Sequence, residues 1–573
     1  MMDWVQGPLM PFLALAWPLL MAGLMVLPPL RDRALMLLPL APLPGLMLAL
    51  MPLTDTATEV PILLLGVRLE TDPTALALLG MTAALWLAAG LYAVAYMKAP
   101  RKPAIFSGFW CLTLTGNLGV FLAADAVTFY VAFAAVSLAA YFLVVHDGTA
   151  EALRASRIYI IMAVLGEAML LIGFVLMMAQ AETLLIAEMR HGLTDPMLGN
   201  GQRQLIVALL IAGFGIKAGL MPLHLWLPLA HPAAPTAASA VLSGAIVKAG
   251  LIGLIRFLPE GDAITGPVLL ALGLAGAYAA VILGVLQSRI KAVLAYSTVS
   301  QMSLMLAVVG AGLAVAGGSG PEIAGYYGVH HGFAKGALFL AVGWIPLLGG
   351  AARWAALALV AVLCASVAGW PLTGGALAKA AIKPAFPAPL VMAVTATGIT
   401  TTLLLVRYLY LLARSPAKSA AGLGARTMGL TVMGTGFAAL VVPWALWGVH
   451  DPRGPAYLMQ PDTLMAGAWP VTVGLVLAGL VGWQQNRLEQ RPRVPEGDLI
   501  VPLERTIGTL MSGISGLAET IIGRNRPASD TAAEPLQPAR QAAQALETQV
   551  QRWPMAGVIL VGLMAGLAWL VLR

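Results

Sequence analysis

Apolar residues run along the chain in long blocks, set apart by short stretches that hold most of its charge and proline. A block of about 20 residues suits an α-helix crossing a bilayer core about 30 Å thick. Apolar length and flanking breakers together predict about 16 spans. They fall near 8–29, 34–53, 74–97, 104–124, 126–146, 157–180, 204–229, 235–257, 266–288, 292–318, 323–349, 355–385, 387–413, 428–449, 465–484 and 554–572. Two runs do not read as single straight helices. The block at 355–385 is too long and contains Pro371 and the Gly374-Gly375 pair, and the run from 204 to 235 ends among Pro222, Pro228, Pro232 and Pro235. Helix breaks survive at membrane depth only where protein or water satisfies the freed backbone groups. Two broken helices in comparable halves of a chain point to an ion or substrate site and to inverted repeats.

Composition agrees with an all-α polytopic membrane protein and excludes the main alternatives. Hydrophobic residues make up 60% of the 573 and charged residues 10%, against about 25% charge in a soluble domain. Disorder needs the opposite balance. The net charge of +7 is spread over short loops with no basic patch interleaved with aromatics, so no nucleic-acid partner is expected. Cys111 and Cys364 lie inside apolar runs without partner spacing, which leaves no support for a disulfide framework, an iron–sulfur cluster or a cysteine zinc site. No cofactor is expected in this chain, and redox chemistry linked to it belongs on another subunit. The first span follows Asp3 and lacks a basic leading region, so it reads as a retained helix. Loops carrying Arg31, Arg33, Lys98, Arg101, Lys291 and Arg414 alternate with loops richer in Asp55, Glu59, Glu70 and Asp72. Positive-inside bias then puts both termini outside.

Residues 485–553 interrupt the pattern. After a polar stretch, Leu503, Ile507, Leu510, Ile514, Leu517 and Ile521 recur at helical steps. The stripe over 499–523 fits either an interfacial helix contacting a neighbouring subunit or a helix covering this chain's own loops. An anchor span at 554–573 follows.

Charge inside the spans is the strongest functional signal. Glu167, Lys217, Lys248, Lys335, Lys379 and Lys383 all fall within apolar blocks. A lysine at bilayer depth costs about 2.5–3.5 kcal/mol, so four central ones cost on the order of 10–14 kcal/mol, comparable to the whole stability of a domain. Lys383, near a helix end, fits snorkelling as well as function. Lys248 sits mid-helix in an otherwise apolar run and has no such escape. Burial favours a neutral lysine while a nearby carboxylate favours the charged form, so a buried lysine that can approach or leave Glu167 can act as a proton gate. His224 and His231 lie beside the first break, and His330-His331 one turn before Lys335, which extends the row as a proton relay. A metal site is the weaker reading of these histidines, since no carboxylates or cysteines accompany them. Phosphate loops, dinucleotide fingerprints and nucleophile elbows are absent from the sequence, and no catalytic centre is expected here.

Several stretches carrying these residues resemble the antiporter-like proton-translocating subunits shared by respiratory complex I, membrane-bound hydrogenases and Mrp-type cation/proton antiporters. They are Gly215-Ile-Lys217-Ala-Gly-Leu-Met-Pro222-Leu-His224-Leu-Trp-Leu-Pro228-Leu-Ala-His231-Pro-Ala-Ala-Pro235-Thr, Lys291-Ala-Val-Leu-Ala-Tyr-Ser-Thr-Val-Ser-Gln301, His331-Gly-Phe-Ala-Lys335-Gly-Ala-Leu-Phe-Leu and Gly374-Gly-Ala-Leu-Ala-Lys379. The resemblance covers roughly 75–450. It implies two inverted five-helix repeats, over 104–257 and 266–413, preceded by N-terminal helices in 1–103 and followed by accessory helices in 414–484. It makes Lys217 the first-repeat lysine, Lys248 the central bridge, Lys335 with His331 its continuation and Lys379 the exit position. It implies a bacterial plasma (inner) membrane location and partner membrane subunits, with protons moved in response to redox chemistry elsewhere, as in an NADH:quinone oxidoreductase or hydrogenase complex. Rival assemblies are a Mrp-type Na+/H+ antiporter and a proton-conducting subunit of an inorganic-carbon uptake complex with a soluble zinc partner. The segment 485–553 and its anchor look like a shortened lateral helix of the distal complex I subunit. One departure stands out: where the family carries a Trp-Glu pair, this chain has Phe133-Ala134, and its buried acid, Glu167, comes one helix later.

Overall fold

The computed structural model describes residues 9–25, 27–52, 57–97, 102–315, 317–417, 423–450 and 455–483. The stripe over 499–523, the rest of 485–553 and the anchor at 554–573 lie outside the described residues. The chain divides into two units, Met1–Glu59 with Arg68–Asp498, and Val60–Val67 with Leu499–Arg573. Of the second, the described residues are 60–67. Every described helix lies in the first.

That unit is a helical bundle. Its main helices in chain order are α1 (Leu9–Leu24), α2 (Pro73–Tyr96), α3 (Pro103–Leu122), α4 (Ala126–Val144), α5 (Ala150–Ala181), α6 (Asn200–Ala218), α7 (Leu227–Ala233), α8 (Thr236–Phe257), α9 (Thr265–Val285), α10 (Ile290–Leu313), α11 (Gly320–Trp344), α12 (Gly350–Ala368), α13 (Gly374–Ile382), α14 (Ala388–Ala413), α15 (Leu423–His450) and α16 (Pro461–Trp483). Among the described residues, eleven helices are long and apolar enough to cross a membrane. Local chemistry sets their starts. Asp72 accepts from the Ala75 N–H ahead of Pro73 in α2, and Asp125 accepts from the Thr128 N–H in α4, each at 2.7 Å. Thr149 caps α5, which begins seven residues before the expected 157. Its first turns carry Arg154 and Arg157, and polar residues there hide a helix start from an apolar-length reading. The run expected as a span at 34–53 is instead a chain of short pieces, Ala34–Leu37, Leu38–Leu40 and Leu43–Ala49. Pro39, Pro42 and Pro44 remove the donors a continuous helix would need.

The centre of the bundle is α8, α10 and α11. Almost every side chain of α10 and α11 is buried. The peripheral helices are apolar on their outer faces: Ile161, Val164, Leu165, Leu171, Ile172 and Val175 of α5 are each about half exposed. An apolar band of that extent facing outward is what lipid requires. α9 and α10 pack backbone to backbone, and a Cβ on Gly273 would lie 2.5 Å from the Ala307 nitrogen. Arg256, at the end of α8, pairs with Asp72 at 2.8 Å and donates to the carbonyls of Phe121 and Ala123 at the end of α3, satisfying groups that would otherwise be orphaned.

Candidate functional site

The two helix breaks share one local design. α6 ends in Gly219 at φ +78°, where the Leu220 N–H donates to Gly215 O at 2.8 Å. α12 ends in Gly369 at φ +98°, where the Trp370 N–H donates to Ala365 O at 2.9 Å. Both are Schellman-type ends that depend on glycine in the left-handed region. Carbonyls left over at each break find side-chain donors. The Trp226 indole N–H donates to Ile216 O at 2.7 Å, and Lys379 Nζ donates to Ala368 O at 2.9 Å. Pro222 lies inside the first break, whereas Pro228 opens the short helix α7 that follows it. Gly374 and Gly375 stand just past the second break, as the first two residues of α13. There the Gly375 N–H donates to Ser366 Oγ at 3.2 Å, and the same hydroxyl meets His330 Nε2 at 3.0 Å.

The polar side chains form three groups. At the first break, Lys217 is buried near the end of α6. Its Nζ lies 3.5 Å from the Tyr159 hydroxyl and over the rings of Phe133 and Tyr159, at 5.4 and 5.7 Å. A small space of about 10 Å³ lies between Lys217, Phe133, Ser137, Tyr159 and Trp226, at the lower limit of what one water needs. Glu167 faces the same region from α5, buried, beside Ser137 and in electrostatic reach of Lys217. Its Oε1 carries no hydrogen bond to protein, and among the described residues no ion pair joins its carboxylate to Lys217. Phe133, which stands where the resemblance leads one to expect a tryptophan, supplies a ring face to the lysine.

At the centre, the backbone of α8 loosens into a π turn over Leu242–Ile246, which ends two residues before Lys248. Lys248 is 0% exposed; its Nζ lies 2.6 Å from His331 Nδ1 and donates to Ser243 O at 3.3 Å. The Ser243 and Thr298 hydroxyls share a 2.6 Å hydrogen bond one layer away. Lys335, one turn along α11 from His331, donates to Ser297 Oγ and to Leu294 O. His231 stacks on Phe339 with centroids 4.7 Å apart and both ring nitrogens unpaired to protein, and His224 lies 5.9 Å from Tyr296. The third group, at the second break, joins His330 through Ser366 to the first turn of α13, the helix that carries Lys379. Lys379 and Lys383 line a cavity of about 550 Å³ among α13, α14 and α16.

Sequence reasoning alone misses the hydroxyl partners. Tyr159, Ser297 and Ser366 are ordinary residues in apolar runs, and each meets a relay residue from a different helix. Ser366→Ala removes the acceptor for a buried backbone N–H and the partner of His330. It is expected to destabilise the second break by about 1–3 kcal/mol, read as a lower thermal-unfolding midpoint of the purified protein in detergent.

Fold and site together define an all-α, multi-pass membrane protein whose buried amines gather around two interrupted helices. Residues 123–404 match the family described as NADH:quinone oxidoreductase/Mrp antiporter, TM, and this membrane core belongs to that family. Hydrogenase-4 component B of Escherichia coli (strain K12) is 33% identical over 270 residues, 44% of this chain and 40% of the relative. A Na(+)/H(+) antiporter subunit of Bacillus subtilis (strain 168) is 30% identical over 294 residues, 50% of this chain and 58% of the relative. The chain thus spans about half the length of the curated relatives it matches. A chain of the membrane-bound sulfane sulfur reductase, an archaeal respiratory membrane complex, shares the fold, with a TM-score of 0.66 at 20% identity over 82% of this chain and 99% of that one.

Proposed function

We propose that this chain is an antiporter-like, proton-translocating subunit of a complex I-related membrane assembly, set in a bacterial plasma membrane with both termini outside. In this reading protons pass along Glu167, Lys217, His224, His231, Lys248, His330, His331, Lys335 and Lys379, driven by redox chemistry in partner subunits. The observation that carries it is the Lys248–His331 contact. An ammonium has donors only, so a 2.6 Å hydrogen bond between two basic groups requires that one nitrogen offer a lone pair. Such a pair shares a transferable proton. The redox coupling is supported by the likeness to Hydrogenase-4 component B and to the fold of a respiratory complex.

The test is purification of the chain from its native membrane with its partners, followed by flux measurement in sealed vesicles. Partners carrying iron–sulfur or quinone chemistry, with proton movement that needs an electron donor, are the expected outcome. Exchange of Na+ for protons without any donor would replace this reading with a Mrp-type antiporter. Co-purification of a soluble zinc protein would replace it with inorganic-carbon uptake.

A further inference from the structure

Between α2 and α3, five fully buried side chains hold polar atoms that no protein group meets. They are Thr82 Oγ1 and Trp86 Nε1 on α2, and Ser107 Oγ, Trp110 Nε1 and both amide atoms of Asn117 on α3. Their spacing is helical. Thr82 and Trp86 are one turn apart, and Ser107, Trp110 and Asn117 recur at steps of three and seven along one face. The Trp86 and Trp110 rings meet at 4.6 Å, so the two faces are turned toward each other. α2 and α3 are consecutive, antiparallel neighbours, which places Thr82 and Asn117 on the Asp72 side of that ring pair. α8 closes the third side, contacting α2 through its first turns and α3 through its last. A Cβ on Gly244, in the π turn, would lie 2.3 Å from Leu85, so α2 abuts the backbone just ahead of Lys248. At the Asp72 end, a cavity of about 570 Å³ opens among Asp72, Thr74, Ala123, Ile252, Ile255 and Arg256, and Ile252 is one turn from Lys248.

Apolar surroundings leave an unpaired hydroxyl, indole or amide strongly destabilised. A row of them beside a cavity is where a protein holds water, which both donates and accepts. We infer that the seam between α2, α3 and α8 is a water-holding file that connects the Asp72–Arg256 cavity to the Lys248–His331 pair. Asn117 is its main anchor, because one carboxamide both donates and accepts and so can hold a water on either side. The file gives the central pair access to one membrane face without passing through either helix break. This inference rests on the translocation reading above, since the file matters only if Lys248 exchanges protons.

Two measurements test it in the complete complex, in a background of Cys111→Ala and Cys364→Ala that retains flux. A hydrophilic thiol reagent is expected to modify Thr82→Cys and Asn117→Cys at least about tenfold faster than Leu118→Cys. Leu118 is equally buried but packs toward Gly45 on another face of α3. Asn117→Leu is expected to lower flux by about tenfold or more with assembly intact, while Asn117→Ser keeps most of it. Modification no faster than the Leu118 control, or undiminished flux from assembled Asn117→Leu, overturns the file. Because modification is read without transport, its failure beside normal flux leaves the translocation reading standing. Fast modification in a complex that moves no ions would remove the translocation reading instead.

Discussion

Lys248→Ala is expected to cut ion flux by at least about tenfold in a complex that still inserts and assembles, and Lys248→Arg is expected to fail as well. Lys248 stands between a π turn and His331, fully buried, with no carboxylate in contact among the described residues. Removing its amine leaves His331 Nδ1 without a partner and opens a gap in the row of proton-bearing groups. The alanine side chain fits within the lysine's space, so the bundle has no steric reason to unfold. Arginine keeps the charge but cannot give up a proton, which separates loss of a relay from loss of charge. Proton flux measured in vesicles containing the assembled variants checks this. Undiminished flux from Lys248→Ala would take the residue out of the pathway.

Glu167→Gln should suppress flux nearly as far as Lys217→Ala, and the double variant should be little worse than either single one. Glu167 is buried on α5, in electrostatic reach of Lys217 and, among the described residues, without an ion pair to it. Ser137, which meets Glu167, and Lys217 both line a space of about 10 Å³, about the size one water needs. Residues that act as one unit give strongly non-additive effects. Additive losses in the double variant would mean that Glu167 and Lys217 work separately, and normal flux from Glu167→Gln would leave the first break without an acidic partner.

Much of the framework was legible because apolar length and proline are direct physical constraints on a chain in lipid. The spans from 73 to 144 are displaced from their expected ends by at most two residues, since Asp72 and Asp125 mark the starts and the apolar runs are unbroken. The π turn was not legible: Leu242-Ser-Gly-Ala-Ile is an ordinary helical sequence, and the extra residue in the turn shows only in the backbone. Lysines and histidines announce themselves by their cost in lipid. Their partners do not, because hydroxyls such as Ser297 and Ser366 are inexpensive in a helix, where they can bond back to the preceding turn. Lys335 reaches Ser297 across 38 positions, and Lys248 reaches His331 across 83; sequence spacing carries no trace of either meeting.

The interrupted helices have an electrostatic consequence of their own. The C-terminal end of an α-helix carries the equivalent of about half a negative charge. α6 ends at Ala218, so Lys217 stands within the last turn of its own helix, and Lys379 donates to Ala368 O, the last residue of α12. Each break therefore turns the negative pole of a macrodipole toward a buried amine. That counter-charge belongs to the backbone and is untouched by substitution of Glu167 or Ala134. With Ala134 in place of an acid, the lysine of the first break still faces a fixed anionic field, and Glu167 adds to a charge that the peptide chain already supplies.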